Sequence, residues 1–169
     1  MSEWLRLVNE MKKRSPQDFF TPTQQVAYTT IVERLHFPKQ HLNLWGLPGV
    51  GKTYIAWGLA RTLDAVHVSS PEKLREYDGK DMSLLIIDNA PYYEDELRAL
   101  LAEADLMSAG SIVFITHKPT LLRMRQVHLE LPSADDLRHI ARTFSRLGFY
   151  EQSAPPPATN LWQLLQCYV

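Results

Sequence analysis

Apolar residues recur along this chain with two periods, and the switch between them marks out its elements. At the start, Trp4, Leu7, Val8 and Met11 fall at i, i+3, i+4 and i+7, the spacing of one helix face. Ser2 is its expected cap, and Lys12, Lys13 and Arg14 sit at the end where positive charge suits the helix dipole. A second helix is expected from "TPTQQ" to about His36, before Pro38. Thr21 caps it, Pro22 suits the first helical position and Gln24 closes a capping box.

From residue 42 the pattern alternates. "LNLWG", "AVHVS", "SLLIIDNA", "SIVFITH" and "VHLEL" read as strands. "KTYIAWGLARTL", "EDELRALLAEADLM" and "SADDLRHIARTFSRLG" read as helices, and "SPEKLREY" as a short helix or turn. Ile55, Ala56, Leu59, Ala60 and Leu63 share one helical face; Leu97, Leu100, Leu101 and Ala104 share another, and Leu137, Ile140, Ala141 and Phe144 a third. Uninterrupted apolar strands between helices imply a mostly parallel sheet covered on both sides, an α/β architecture. "SAPPPATN" reads as a stiff connector, and "LWQLLQCYV" as a terminal element docking through Leu161, Trp162, Leu164 and Leu165. The divisions expected are an N-terminal helix over 1–18, a core with the start of a lid over 19–148, and a tail over 149–169.

Composition narrows the classes. At 169 residues the chain can bury a core of its own, and its net charge of −1 gives no general attraction to nucleic acid or anionic membrane. Cys167 is the single cysteine, so no internal disulfide forms, and it is read as a packing residue. His36 and His41 have no cysteine or carboxylate nearby to complete a metal site. No run approaches the ~20 apolar residues of a membrane span, and the N-terminus lacks the apolar core of a signal peptide. A cytoplasmic protein is expected.

The candidate chemistry lies in "GLPGVGKT", a full match to G-x-x-x-x-G-K-[ST]. Across Gly46, Leu47, Pro48, Gly49, Val50 and Gly51, glycines let successive N–H groups curl around phosphate oxygens, and the next helix turns its positive end to the same anion. Lys52 is expected at the β- and γ-phosphates, Thr53 on Mg²⁺, and Tyr54 at the cofactor's edge. Asp88 ends an apolar strand, where a carboxylate can hold a metal-bound water. The residue after it is Asn89, whose amide cannot take a proton from water. Glu94, Asp95 and Glu96 are close in sequence, but acidic residues in a first turn are explained by the helix dipole. Thr116, at the end of a third strand, is the expected contact to the γ-phosphate region, in preference to His117. Arg123 and Arg125 precede the last strand, where an arginine can reach a neighbour's nucleotide. Arg138, Arg142 and Arg146 form an i, i+4, i+8 row, read as a solvated face with a DNA-contacting strip as the alternative.

Together, "GLPGVGKT", "LLIIDNA", "VFITH" and "VHLELPSADDLRHIAR" resemble the AAA+ superfamily of P-loop ATPases over residues 20 to 148. "VHVSSPEKLREY" is similar in flavour to the bacterial replication-initiator and helicase-loader relatives. The resemblance implies a three-layer α/β/α fold, a five-stranded parallel sheet ordered 5-1-4-3-2, ATP with Mg²⁺, and subunits sharing ATP at their interfaces. It makes Gly46 to Thr53 the Walker A segment, Asp88 the Walker B residue, Thr116 the sensor, and Arg123 or Arg125 the finger. Two departures bear on activity. Asn89 stands where the family has glutamate, and the stretch beyond Gly148 is too short for a full lid. The expected function is therefore a slow or partner-dependent ATPase, self-assembling or with a protein partner, in DNA replication, recombination or transposition. The alternative is a non-hydrolysing, ATP-gated adaptor. A superfamily 1 helicase fragment is suggested only by "FTPTQQVAY", with no later helicase motifs, and a small-molecule kinase lacks an arginine-rich lid.

Overall fold

A computed structural model describes residues 3–14, 16–77 and 82–149, with 161, 163 and 167. The cap at Ser2, the connector at 153–160 and the docking of Trp162, Leu164 and Leu165 lie outside them. Helix α1 covers Glu3–Lys13 and α2 covers Pro22–Leu35, separated by a 3-10 turn at Pro16–Phe19. Strand β1 (His41–Trp45) leads into α3 (Lys52–Thr62), and β2 (Val66–Val68) into a 3-10 turn at Pro71–Tyr77. Then come β3 (Leu84–Ile87), α4 (Glu94–Leu106), β4 (Ser111–Thr116), β5 (Arg125–His128) and α5 (Ala134–Arg146).

The five strands form one sheet in the order β2-β3-β4-β1-β5, every pair parallel. Read from the β5 edge, this is the expected order 5-1-4-3-2. It places β1 between β4 and β5, so the loop leaving β1 emerges mid-sheet with β3 two strands away. Alternation divides the core. Leu42, Leu44, Leu84, Ile86, Val113 and Ile115 pack against α2 and α3, while Leu85, Ile87, Ile112 and Phe114 pack against α4.

The predicted caps are present: Thr21 with Gln24 on α2, and Ser133 with Asp136 on α5, both as capping boxes. Gly148 comes after α5 at φ 78°, the left-handed stop its position suggested. Strand boundaries shift by a few residues, and the last strand differs at both ends. The last strand begins at Arg125, not at Val127, because its length is set by pairing with β1, from Leu42↔Arg125 to Trp45↔His128. Arg125 and Gln126 are exposed on this edge strand, so no apolar pattern announces them.

A third apolar cluster joins the chain's ends to α5: Leu7, Ile140, Phe144, Phe149, Leu161 and Cys167. Arg6 lies 4.4 Å from the centre of the Phe149 ring, and Arg61 on α3 donates to the carbonyls of Lys13 and Arg14 at the end of α1. The basic end of α1 is thus bonded to the core. Among the described residues, no helix is long and apolar enough to cross a membrane.

Candidate functional site

A cleft of about 410 Å³ opens at the C-terminal ends of β1, β3 and β4, with α3 as its floor. The loop that forms it requires glycine at specific places. At Gly46 a β-carbon would meet the Leu129 carbonyl at 2.4 Å, because β5 continues beside the loop. Gly49 and Gly51 have φ of 81° and 96°, and a β-carbon at Gly51 would fall 2.2 Å from Gln24 Nε2. Val50 instead turns its side chain into the core, 2 % exposed, which anchors the loop. Leu47 is exposed on its outer side.

Lys52 and Thr53 open α3, so their side chains project where the helix presents unsatisfied N–H groups. Lys52 Nζ donates to the carbonyls of Gly46 (2.6 Å) and Leu47 (2.9 Å), holding its charge across the loop's mouth. Burial pulls its pKa below the usual lysine value, and the nearby Asp88 carboxylate works against that shift. Thr53 Oγ1 donates to Asp88 Oδ2 at 2.6 Å. This bond crosses 35 residues of sequence and closes the phosphate loop onto the third strand. Tyr54 lines the cleft and packs edge-on against Phe20 and Trp57; burial, then Asp18, pushes its hydroxyl pKa up.

Asp88 is 3 % exposed. Burial alone would raise its pKa, but His67, the Thr53 hydroxyl and the Asn89 N–H together hold it below the usual aspartate value, so it is ionised at neutral pH. Thr53 and Asp88 supply hard oxygen donors side by side. That donor set suits Mg²⁺, which binds through one or two carboxylates with the substrate's phosphates completing its shell. No group of three His, Cys, Asp or Glu gathers among the described residues, so the softer transition-metal sites find no counterpart there.

Asn89 has φ of 53°, in the left-handed region that asparagine tolerates better than most residues. Its N–H donates to Asp88 Oδ1 (2.8 Å) and its side-chain amide to the Ser69 carbonyl (3.0 Å). The residue in the glutamate position is therefore a bracket between the ends of β3 and β2. Glu94, Asp95 and Glu96 lie in the exposed first turn of α4, outside the cleft lining, where Glu94 pairs with Arg98.

The third strand presents a different residue from the one expected. Thr116 is 1 % exposed and bonds Asn43 Oδ1 (3.0 Å) and the Lys118 carbonyl (2.7 Å), away from the cleft. It shares a face with Ile112 and Phe114, whereas Ile115 and His117 line the cleft. His117 feels both key charges. Burial and Lys52 lower its pKa, Asp88 opposes them, and the net result is a neutral imidazole at pH 7. Arg123 and Arg125 are exposed and stand outside the cleft lining. On α5, Arg138 pairs with Asp135, and Arg138, Arg142 and Arg146 are all exposed and outside the cleft lining.

Two contributions escaped the sequence. Asp136, fully buried, accepts from the Thr23 N–H (2.9 Å) and hydroxyl (2.6 Å) and from the Ser133 N–H (2.7 Å) and hydroxyl (2.9 Å). Gln24, one residue beyond Thr23, donates to the Val50 carbonyl (3.3 Å) and accepts from the Thr21 N–H (3.1 Å). The start of α5 is thus tied through α2 to the phosphate loop. Gln24 lines the cleft with its amide bonded at both ends, a structural role for the stretch that suggested the helicase comparison. The second contribution is Leu161, whose N–H donates to the Gly49 carbonyl at 3.0 Å and whose side chain lines the cleft. With Met11, Phe19, Trp57, Ile140 and Phe144 it makes the far end of the cleft apolar. The apolar spacing of "LWQLLQ" hinted that Leu161 docks, but not where.

No protein-family model matches the chain. Over 85 residues it is 42 % identical to the chaperone protein ClpB of Agrobacterium fabrum, a match that takes in 47 % of this chain and 9 % of the chaperone. The structure of the replication initiator DnaA bound to AMPPCP and single-stranded DNA superposes with a TM-score of 0.61 at 14 % identity, covering 91 % of this chain and 63 % of that one. The Thermotoga maritima RuvB Holliday junction branch migration motor superposes at 0.57 and 16 %, covering 82 % and 56 %. This chain spans less than two thirds of each, and at such identities the likeness is one of fold. It has the five-stranded α/β P-loop fold seen in DnaA and RuvB.

Proposed function

We propose that this chain binds ATP with Mg²⁺ in the cleft, hydrolyses it slowly unless a partner assists, and acts in a DNA transaction. The observation that carries the reading is the Thr53–Asp88 bond of 2.6 Å beside the buried Lys52, which brings the metal-type oxygens and the phosphate-type cation to one place. Loop N–H groups and the start of α3 bind the phosphates, Lys52 neutralises the terminal ones, and Thr53 and Asp88 hold the metal. Bound Mg²⁺ supplies charge neutralisation at the β- and γ-phosphates. The apolar end takes the purine. Among the described residues, the carboxylate that lines the cleft is Asp88, at the phosphate end, so none stands at the apolar end to read guanine.

Slow turnover reflects the groups around the γ-phosphate position. Asn89 lines the cleft with its amide nitrogen bonded to the Ser69 carbonyl, and an amide cannot serve as a base; His117 lines the cleft as well and can contact a water. Arg123 and Arg125, exposed and outside the cleft, are available to a neighbouring molecule, as the AAA+ resemblance implies. The DNA role is supported by the fold's likeness to a replication initiator and a branch migration motor. The bracketed Asn89 also favours a second reading, an ATP-gated adaptor that never hydrolyses. Phosphate release and molecular size, measured with and without ATP–Mg²⁺, separate the two. Slow release with assembly supports the ATPase, and assembly with no release supports the adaptor. Turnover by the isolated chain above about 1 per second, the lower end of ordinary enzyme rates, contradicts both.

A further inference from the structure

His67 is a partly buried titratable group to which nucleotide binding, as proposed, gives no task. It lies on β2 in register with Ile86 of β3, on the sheet face that carries α3. Its Nε2 is buried and has no hydrogen-bond partner, and it stands 3.8 Å from Asp88 Oδ2. A polar atom shut off from both water and a partner is rare enough to need an explanation.

The neighbours of His67 supply one. The Val68 carbonyl accepts the Asp88 N–H (2.9 Å), and the Ser69 carbonyl accepts the Asn89 side chain (3.0 Å). Three successive residues, His67 to Ser69, thus address the same corner, and His67 is the one aimed at the carboxylate. Asp88 Oδ2 already accepts from Thr53, which leaves it a second lone pair; Oδ1 is taken by the Asn89 N–H.

We infer that His67 is a positioning residue for the metal carboxylate, donating Nε2–H to Asp88 Oδ2 when magnesium nucleotide is bound. The imidazole can carry a proton on Nε2 in either its neutral or its charged form, so the role does not depend on its ionisation. Its effect is to hold the carboxylate plane where Thr53 and Asp88 face one cation, as outer partners of metal ligands do. The inference rests on the ATP–Mg²⁺ reading of the cleft.

The test compares His67→Gln, whose amide nitrogen reaches about as far as Nε2, with His67→Asn, whose shorter side chain does not. ATP affinity of the full chain is measured by calorimetry in Mg²⁺ and again in EDTA, with thermal melting alongside. The Asn variant is expected to lose about 10-fold in Mg²⁺ and less than about 2-fold in EDTA, while the Gln variant stays near wild type in both. Equal losses in Mg²⁺ and EDTA, or a Gln variant no better than Asn at matched thermal stability, would overturn the role. If wild type binds ATP in neither condition, the nucleotide reading falls and His67's role falls with it. If wild type binds and both variants match it in Mg²⁺, the nucleotide reading stands and His67 alone is wrong.

Discussion

At the phosphate end of the cleft, the loop, Lys52 and Thr53 come from eight consecutive residues, Gly46 to Thr53. At the apolar end, the wall is gathered from Met11, Phe19, Trp57, Ile140, Phe144 and Leu161, which only the tertiary fold brings together. The first end is governed by backbone conformation. Gly49 and Gly51 must be left-handed, and α3 must start immediately after them. The second end is governed by packing, and it holds only while α1, α2 and α5 stay in place. Local geometry and distant packing therefore fail in different ways, and substitutions can tell them apart.

The largest effect is expected at Gly51. Alanine there meets Gln24 Nε2 and strains a positive φ, so ATP affinity should fall by about 100-fold or more while the melting temperature falls only modestly. Calorimetry with differential scanning checks both. The opposite pattern is expected for Asp136→Asn. It leaves the loop intact but disrupts charge-assisted bonds between α2 and α5, costing about 3 kcal/mol in urea unfolding.

Acid sharpens the same contrast. Asp88 and Asp136 are both held below the ordinary aspartate value, so their contribution to stability is fully present above about pH 4 and is lost as pH falls through their lower folded values. The slope of stability against pH below about 4 should be shallower in Asp136→Asn than in wild type. A smaller change is expected from Met11→Ala at the apolar end. ATP should bind about 5- to 10-fold more weakly while inorganic tripolyphosphate is unaffected, because only the base touches that wall. The smallest is Asn89→Glu. With the residue in a left-handed conformation and its side chain directed to Ser69, phosphate release should change by less than about 2-fold. A large acceleration would show that the bracket gives way and that only a base was lacking.

The contrast also explains how much of the molecule is legible in its sequence. The strand and helix flanking the glycine loop and the caps at Thr21 and Ser133 were legible because period and cap chemistry are local, whereas the sheet order came from the family resemblance. Asp88 was legible as the end of an unbroken apolar run. The choice between Thr116 and His117 was not. Alternation says that they lie on opposite faces, but only the packed sheet shows which face holds the loop. Asn89's bracketing role depends on a left-handed φ and on Ser69, twenty residues away in sequence. The ties from Thr23 to Asp136 and from Leu161 to Gly49 each join residues more than a hundred positions apart, beyond any local pattern.

The central claim is that this loop holds a triphosphate under the charge of Lys52. Titration of ATP with Mg²⁺ into the wild-type chain and into Lys52→Ala tests it most directly. Saturable one-site binding by wild type is expected, with a loss of about 100-fold or more in the variant while the variant still melts cooperatively without nucleotide. No binding by wild type, or equal binding by both, would contradict it.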